Sequence, residues 1–241
     1  MKKVAVITPV PDVINILIEN SMLRKSIDNQ VAQIHVINLR EFGLGNYRQI
    51  DDTPFGGGSG MVMMAEPLMN AIENAMDLVG RSEEVKVLYP SPQGEAWDQR
   101  SAEGLSKWEK IIIICGHYKG IDERVIEKYV TDEYSIGDFI MTSGEIPAMI
   151  MLDSALRLVP GTLNNIDSAL SDTFTLGLLD HPHYTQPRIV DGKPVPDILI
   201  SGHHEKISSW RQDQREKRTK EKRLDLWKKY TKIRESENSN E

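Results

Sequence analysis

Cysteine is almost absent. Cys115 is the only one in 241 residues, so no intrachain disulfide can form and the chain fits a reducing compartment. Long hydrophobic runs are missing too. The longest apolar stretches, such as residues 111–115 and 146–152, fall far below the roughly 20 residues that a membrane-crossing helix needs. Lys2 and Lys3 precede a short apolar run, but Pro9, Pro11 and Asp12 break it and no small-residue cleavage site follows. A buried first strand is expected there and not a secretion signal, so the expected location is cytoplasmic, with no membrane partner. Positive charge is also scarce: the net charge of −7 speaks against a nucleic-acid partner. The charge is uneven, however. Residues 206–234 hold 12 basic and 4 acidic side chains, a net +8, which leaves −15 for the remainder. A basic tail beside an acidic body is one reading of that asymmetry, and a solvated charged helix face is the other.

What is present is an ordinary folded-protein composition, 39% hydrophobic and 27% charged, long enough for one large domain or two modest ones. Residues 4–8 read as a buried strand. Asp12 is expected to cap a helix whose apolar positions Val13, Ile16 and Leu17 follow helical spacing. Strands are expected at 31–38, 85–89 and 111–115, with a short one at 139–141; helices at 67–79, 122–129 and 145–158. Alternating strands and helices predict an α/β domain with a mainly parallel sheet, ending near Pro160-Gly161. Residues 162–175 are polar and aperiodic and read as a linker. Turn-rich segments with Pro182, Pro187, Pro194 and Pro196 follow, then helices at about 203–217 and 222–233, with polar residues from Glu235 expected to fray. The expected organisation is therefore an α/β domain over 1–161, a linker over 162–175, and a small helical, basic domain over 176–241.

The cluster Gly56-Gly57-Gly58-Ser59-Gly60 invites a phosphate-loop reading, but Met61, Val62 and Met63 follow where a P-loop needs lysine and a hydroxyl residue. A dinucleotide fingerprint fails as well, because the first strand runs into Thr8-Pro9-Val10-Pro11. Three other segments follow predicted strands: Tyr89-Pro90-Ser91-Pro92-Gln93-Gly94, the stretch 115–122, and the stretch 136–145. Ligands of α/β sheets gather beyond the carboxyl ends of strands. Glycine turns there expose backbone groups able to read an adenine edge, and Ile136, Ile140 and Met141 offer apolar walls. Each segment alone is an ordinary tight turn; three together tilt toward a site. His181, His183, His203 and His204 lack compact zinc-site spacing, so no metal ligands are assigned, and His181 and His183 are expected to pack or hydrogen-bond within a turn. Trp210 and Trp227, at helical positions, read as core or interface.

Five segments, in order and spacing, carry a resemblance over nearly the whole chain. They are Asp51-Asp52-Thr53-Pro54-Phe55-Gly56-Gly57-Gly58-Ser59-Gly60-Met61, Ser91-Pro92-Gln93-Gly94, Gly120-Ile121-Asp122-Glu123-Arg124, Ser135-Ile136-Gly137-Asp138, and Gly177-Leu178-Leu179-Asp180-His181-Pro182-His183-Tyr184-Thr185. With them the sequence resembles the bacterial tRNA (guanine-N1)-methyltransferases of the knotted SPOUT class. The resemblance implies a deep trefoil knot in the N-terminal domain, a homodimer with a shared active site, and tRNA methylation at the guanosine 3′ to the anticodon, position 37. It implies S-adenosylmethionine held by Tyr89, Pro90, Ser91 and Pro92, by Gly116 and Tyr118, by Ile136, Gly137, Asp138, Phe139, Ile140, Met141, Ser143 and Gly144, and by Pro147 behind them. By position, Asp172 matches the family's general base and Arg157 its catalytic arginine.

The chemistry itself asks for such groups. N1 of guanine carries a proton at neutral pH, which a carboxylate must remove, while charge on O6 calls for a nearby cation. Taken alone, Asp172 reads as a helix cap and Arg157 as a surface residue. The chain departs from the family pattern at His117 and Lys119, where many members have Arg and Glu, and at Ser143, Pro90 and Gln186. That glutamate has been linked to magnesium dependence, so Lys119 leaves magnesium open. Two other readings also stay open: a knotted methyltransferase acting on ribose or another base, and an RNA-binding protein with a vestigial pocket.

Overall fold

A computed structural model describes residues 1–163, 172–174 and 177–238. The chain divides into two compact units, Met1–Ile166 and Asp167–Glu241. In the first, strands β1 (Lys2–Thr8), β2 (Ala32–Asn38), β5 (Val85–Ala96), β6 (Lys110–Ile114) and β7 (Asp132–Ser135) form one sheet in the order β2-β1-β6-β5-β7. Every pairing in it is parallel. Two-residue strands β3 (Asp51–Asp52) and β4 (Val62–Met63) make a separate antiparallel ladder.

The sheet explains the unbroken apolar runs. Side chains along a strand point alternately to opposite faces, and here both faces are covered. Ala5, Ile7, Ile112 and Ile114 join the core beneath α3 (Ala65–Val79) and α5 (Glu123–Tyr129). Val4, Val6, Ile111 and Ile113 face the other way, toward α1 (Pro11–Asn20), α2 (Met22–Asp28), α4 (Gln99–Leu105) and α6 (Glu145–Leu156). A strand buried on both sides has no place for alternating polar residues, hence Lys110-Ile111-Ile112-Ile113-Ile114. Helix α3 meets its core with Leu68, Ala71, Ile72, Ala75 and Val79, spaced by threes and fours. Helix α6 is mostly apolar, on its outer side as well as its inner one. Ala148, Leu152, Ala155 and Leu156 are buried, whereas Ile146 and Ile150 are 41% and 44% exposed, as is Ile16 of α1 at 60%.

The strand expected at 139–141 does not exist. Those residues belong to an irregular loop in which Phe139 and Ile140 are exposed. The strand in that region is β7, four polar residues at the sheet edge that pair only with β5 and so carry no apolar signature. Strand β5 outlasts its expected end at Tyr89, because a register break between Pro90 and Glu95 lets the ladder with β7 resume beyond the prolines. Helices α2 and α4 were not anticipated. Asp12 sits in the first turn of α1, whose cap position is Val10.

The second unit holds a short hairpin, β8 (Ile189–Val190) with β9 (Lys193–Pro194), and helices α7 (His204–Lys222) and α8 (Leu224–Asn238). Both helices run past their expected ends, α8 through the stretch expected to fray. They part at Arg223, whose guanidinium pairs with Asp225 at 2.7 Å. Thr219 of α7 is fully buried; its hydroxyl donates to the Arg215 carbonyl and accepts from the Leu179 amide at 2.8 Å. Most of the expected linker, residues 164–171 and 175, lies outside the described residues.

Candidate functional site

Because the five strands are parallel, their carboxyl ends share one edge, and there the loops enclose a cavity of about 790 Å³. That volume suits an organic ligand of cofactor size. Tyr89, Pro90, Ser91 and Pro92 line it from the register break in β5. Gly116 and Tyr118 line it from the loop after β6. Ile136, Gly137, Phe139, Ile140, Met141, Ser143 and Gly144 line it from the loop after β7, with Pro147 at the start of α6. Asp138, grouped with these from the sequence, is not among the lining residues.

Backbones approach closely in this wall. A Cβ on Gly144 would meet the Gly116 nitrogen at 2.6 Å, and one on Gly116 would meet the Tyr89 ring at 2.8 Å. Only glycine fits at either place. The Gly144 amide donates to the Gly116 carbonyl at 2.8 Å, and His117 and Ser143 form an antiparallel bridge. Tyr118 takes a left-handed backbone, φ 59°, uncommon for a side chain of its size. Burial, reinforced by the charge of Glu133, pushes the Tyr89 hydroxyl up to about 12, so it stays a neutral donor.

Beneath the wall lies a buried carboxylate. Glu145 is in the first turn of α6, where an anion meets the positive end of the helix dipole. Its Oε1 accepts from Thr8 Oγ1 at 2.5 Å and lies 2.8 Å from His117 Nε2, which is 3.0 Å from Oε2. Burial works to raise its pKa, but hydrogen bonds from His117, Thr8 and Ser143 outweigh it and hold the carboxyl below its ordinary value.

The sequence reading missed several lining residues. Tyr134 escaped it with β7, while His117 and Lys119 fell within the stretch 115–122 proposed for the site but had no role there beyond departing from a pattern. Gly60 and Met61 enter the wall because the Lys119 amide donates to the Met61 carbonyl and Met63 bridges Ile121. The glycine cluster was the available signal. Arg157 ends α6 as its C-cap, and Asp172, half-buried in a bend, belongs to the second unit.

In that second unit, Asp180 accepts from His183 Nε2 at 2.8 Å and Arg215 Nε at 3.1 Å, and His181 Nδ1 meets the Pro182 carbonyl. Ligand atoms of Asp180, His181 and His183 lie within 4.8 Å of one another, close enough to hold a metal ion. The Arg215 contact already compensates the carboxylate, and the group reads as a charge-paired turn. The two histidines hydrogen-bond within that turn.

The family model for tRNA (Guanine-1)-methyltransferase TrmD matches residues 1–229. A tRNA (guanine-N(1)-)-methyltransferase of Listeria welshimeri is 44% identical over 228 residues, covering 95% of this chain and 93% of its own. Proteins of the same description from Clostridioides difficile and Staphylococcus carnosus are 41% and 43% identical, covering 93% and 98% of this chain and 96% and 94% of theirs. With the match running through every wall of the cavity, the chain belongs to the tRNA (guanine-1)-methyltransferase family.

Proposed function

We propose that this protein transfers a methyl group from S-adenosylmethionine to N1 of the guanosine 3′ to the anticodon, position 37, of tRNA. The observation that carries the reading is the three-walled cavity at the carboxyl ends of β5, β6 and β7 in a chain of this family. The residues present suit the donor. Gly116 and Gly144 leave backbone groups at the surface, and Ile136, Ile140 and Met141 supply apolar walls for an adenine ring. When bound, S-adenosylmethionine supplies a methyl group already activated by its sulfonium.

The protein's task is then to orient reactants and manage one proton. The Asp172 carboxylate accepts the N1 proton of a guanine flipped out of its stack, and the Arg157 guanidinium balances charge building on O6. The basic helices α7 and α8 hold the anticodon arm by its phosphates. The proposal includes the deep trefoil knot and the homodimer with a shared active site. The first rests on the resemblance alone, and the exposed Ile16, Ile146 and Ile150 supply an apolar face for a contact between subunits. No described helix is long and apolar enough to cross a membrane, and the proposed site of action is the cytoplasm.

The test is methyl transfer to unmodified tRNA bearing guanosine next to the anticodon, with and without magnesium, followed by mapping of the methyl group. Methyl on N1 of that guanosine is expected; methyl on a ribose or another base would overturn the assignment. Asp172→Ala should retain donor binding and lose about 10²- to 10⁴-fold in transfer rate, the usual span for a general base.

A further inference from the structure

We propose that His117 and Glu145 form a positioning clasp that fixes the gap between the loop after β6 and the loop after β7, and so sets affinity for the methyl donor. The proposal rests on the reading of this cavity as the S-adenosylmethionine site.

Glu145 cannot itself be a ligand group. Its side chain is 2% exposed, and its oxygens are taken up by Thr8 and by His117, with Ser143 contributing a further hydrogen bond. Burying a carboxylate is costly unless it is paired and hydrogen-bonded, so an arrangement this complete marks a group held for the geometry it imposes. The His117 ring is 17% exposed and lines the cavity. It is the pair's only face toward a ligand.

The pair also stands where separate parts of the wall meet. Thr8 ends β1, His117 belongs to the loop after β6, and Ser143 and Glu145 bracket the step from the last loop into α6. Backbone links between the two loops are few: the Gly144 amide on the Gly116 carbonyl and the His117–Ser143 bridge. The His117 amide also donates to the Met63 sulfur at 3.0 Å, tying the same residue to the ladder next to the glycine cluster. Removing the imidazole leaves a buried carboxylate without the one partner that meets both of its oxygens, beside a loop held by few links. The loop must then shift, and the distance across the pocket shifts with it.

The test is titration calorimetry with S-adenosylmethionine on the full chain and on His117→Ala, His117→Gln and Ser154→Ala, paired with steady-state transfer at saturating tRNA. Wild-type binding comes first; its absence overturns the reading of the cavity and this proposal with it, before any variant is compared. With binding present, His117→Ala should weaken affinity and raise KM for the donor about tenfold or more, the scale of a charge-assisted hydrogen bond, while kcat at saturating donor stays within about threefold. His117→Gln keeps an N–H donor for Glu145 and should recover much of the loss. Ser154→Ala, on the same helix as Glu145, removes the hydroxyl that accepts from the Trp97 indole N–H and should lower Tm without moving donor affinity. Unchanged affinity in His117→Ala, a fall in kcat alone, or an equal affinity loss in Ser154→Ala would each overturn the clasp. Should His117→Ala fail to fold, Thr8→Val removes the other donor to the same oxygen: weaker binding with kcat kept supports the proposal, and unchanged affinity overturns it.

Discussion

Glu145 makes the stability of the first unit depend on pH in a definite direction. Its carboxyl titrates below the usual 4.5 because hydrogen bonds from His117, Thr8 and Ser143 outweigh its burial. A lowered folded-state value stabilises the protein fully above the unfolded value, and the contribution is lost as pH falls through the folded one. Urea melts of wild type and Glu145→Gln should therefore differ most above pH 4.5 and converge below it; a gap that ignores pH would contradict this. Gly144 and Gly104 form a contrasting pair. A methyl on Gly144 meets backbone at 2.6 Å, so Gly144→Ala should cost about 1–3 kcal/mol and impair donor binding. Nothing lies within 4 Å of a methyl on Gly104 in α4, so Gly104→Ala should raise stability by roughly 0.5–1 kcal/mol. Thermal melts separate the two. At this scale the sequence was informative wherever a residue's chemistry is local: Gly116, Gly144 and the apolar Ile136 and Ile140 were legible as a pocket wall. His117 was not, because its meaning lies in a carboxylate 28 residues away.

Helix α5 shows how an element records its own beginning. Asp122 accepts from the Arg124 amide at 3.0 Å and pairs with the Arg124 guanidinium at 2.7 Å, which holds its carboxyl below the usual range. Asp122→Ala should cost about 0.5–2 kcal/mol by loss of the cap, read as a lower Tm, and should disturb the neighbouring backbone where the Asp122 amide donates to Met63. That start was readable from the sequence, as were β1, β6 and α3, since runs of Ile and Val or a three-four spacing follow from burial alone. Strand β7 was not, for an edge strand pairing on one side needs no apolar alternation. The length of β5 was hidden by Pro90 and Pro92, which normally close a strand but here fall where the register slips. Helices α7 and α8 outran their expected ends because their charged sequences carry little apolar pattern to mark a boundary.

For the whole molecule, the net −7 conceals a +8 segment that forms most of α7 and α8. If these helices grip phosphates, Lys220→Ala, an exposed position, should weaken binding evenly across tRNAs and lower the salt dependence of binding by about one ion. Filter binding across salt concentrations measures both; an unchanged slope would remove Lys220 from the interface. The order of the sheet, β2-β1-β6-β5-β7, was beyond local pattern, since periodicity reports burial and not which strand lies beside which. That order has a consequence for assembly. The cavity's walls come from four separate stretches between Gly60 and Pro147, so no fragment shorter than these 88 residues contains it. Pairings this distant in sequence close slowly and late. The methyl donor would thus have nothing to bind until the sheet is finished, and once bound would draw the folding equilibrium toward completion by mass action. Donor affinity would then report on whether the sheet is complete.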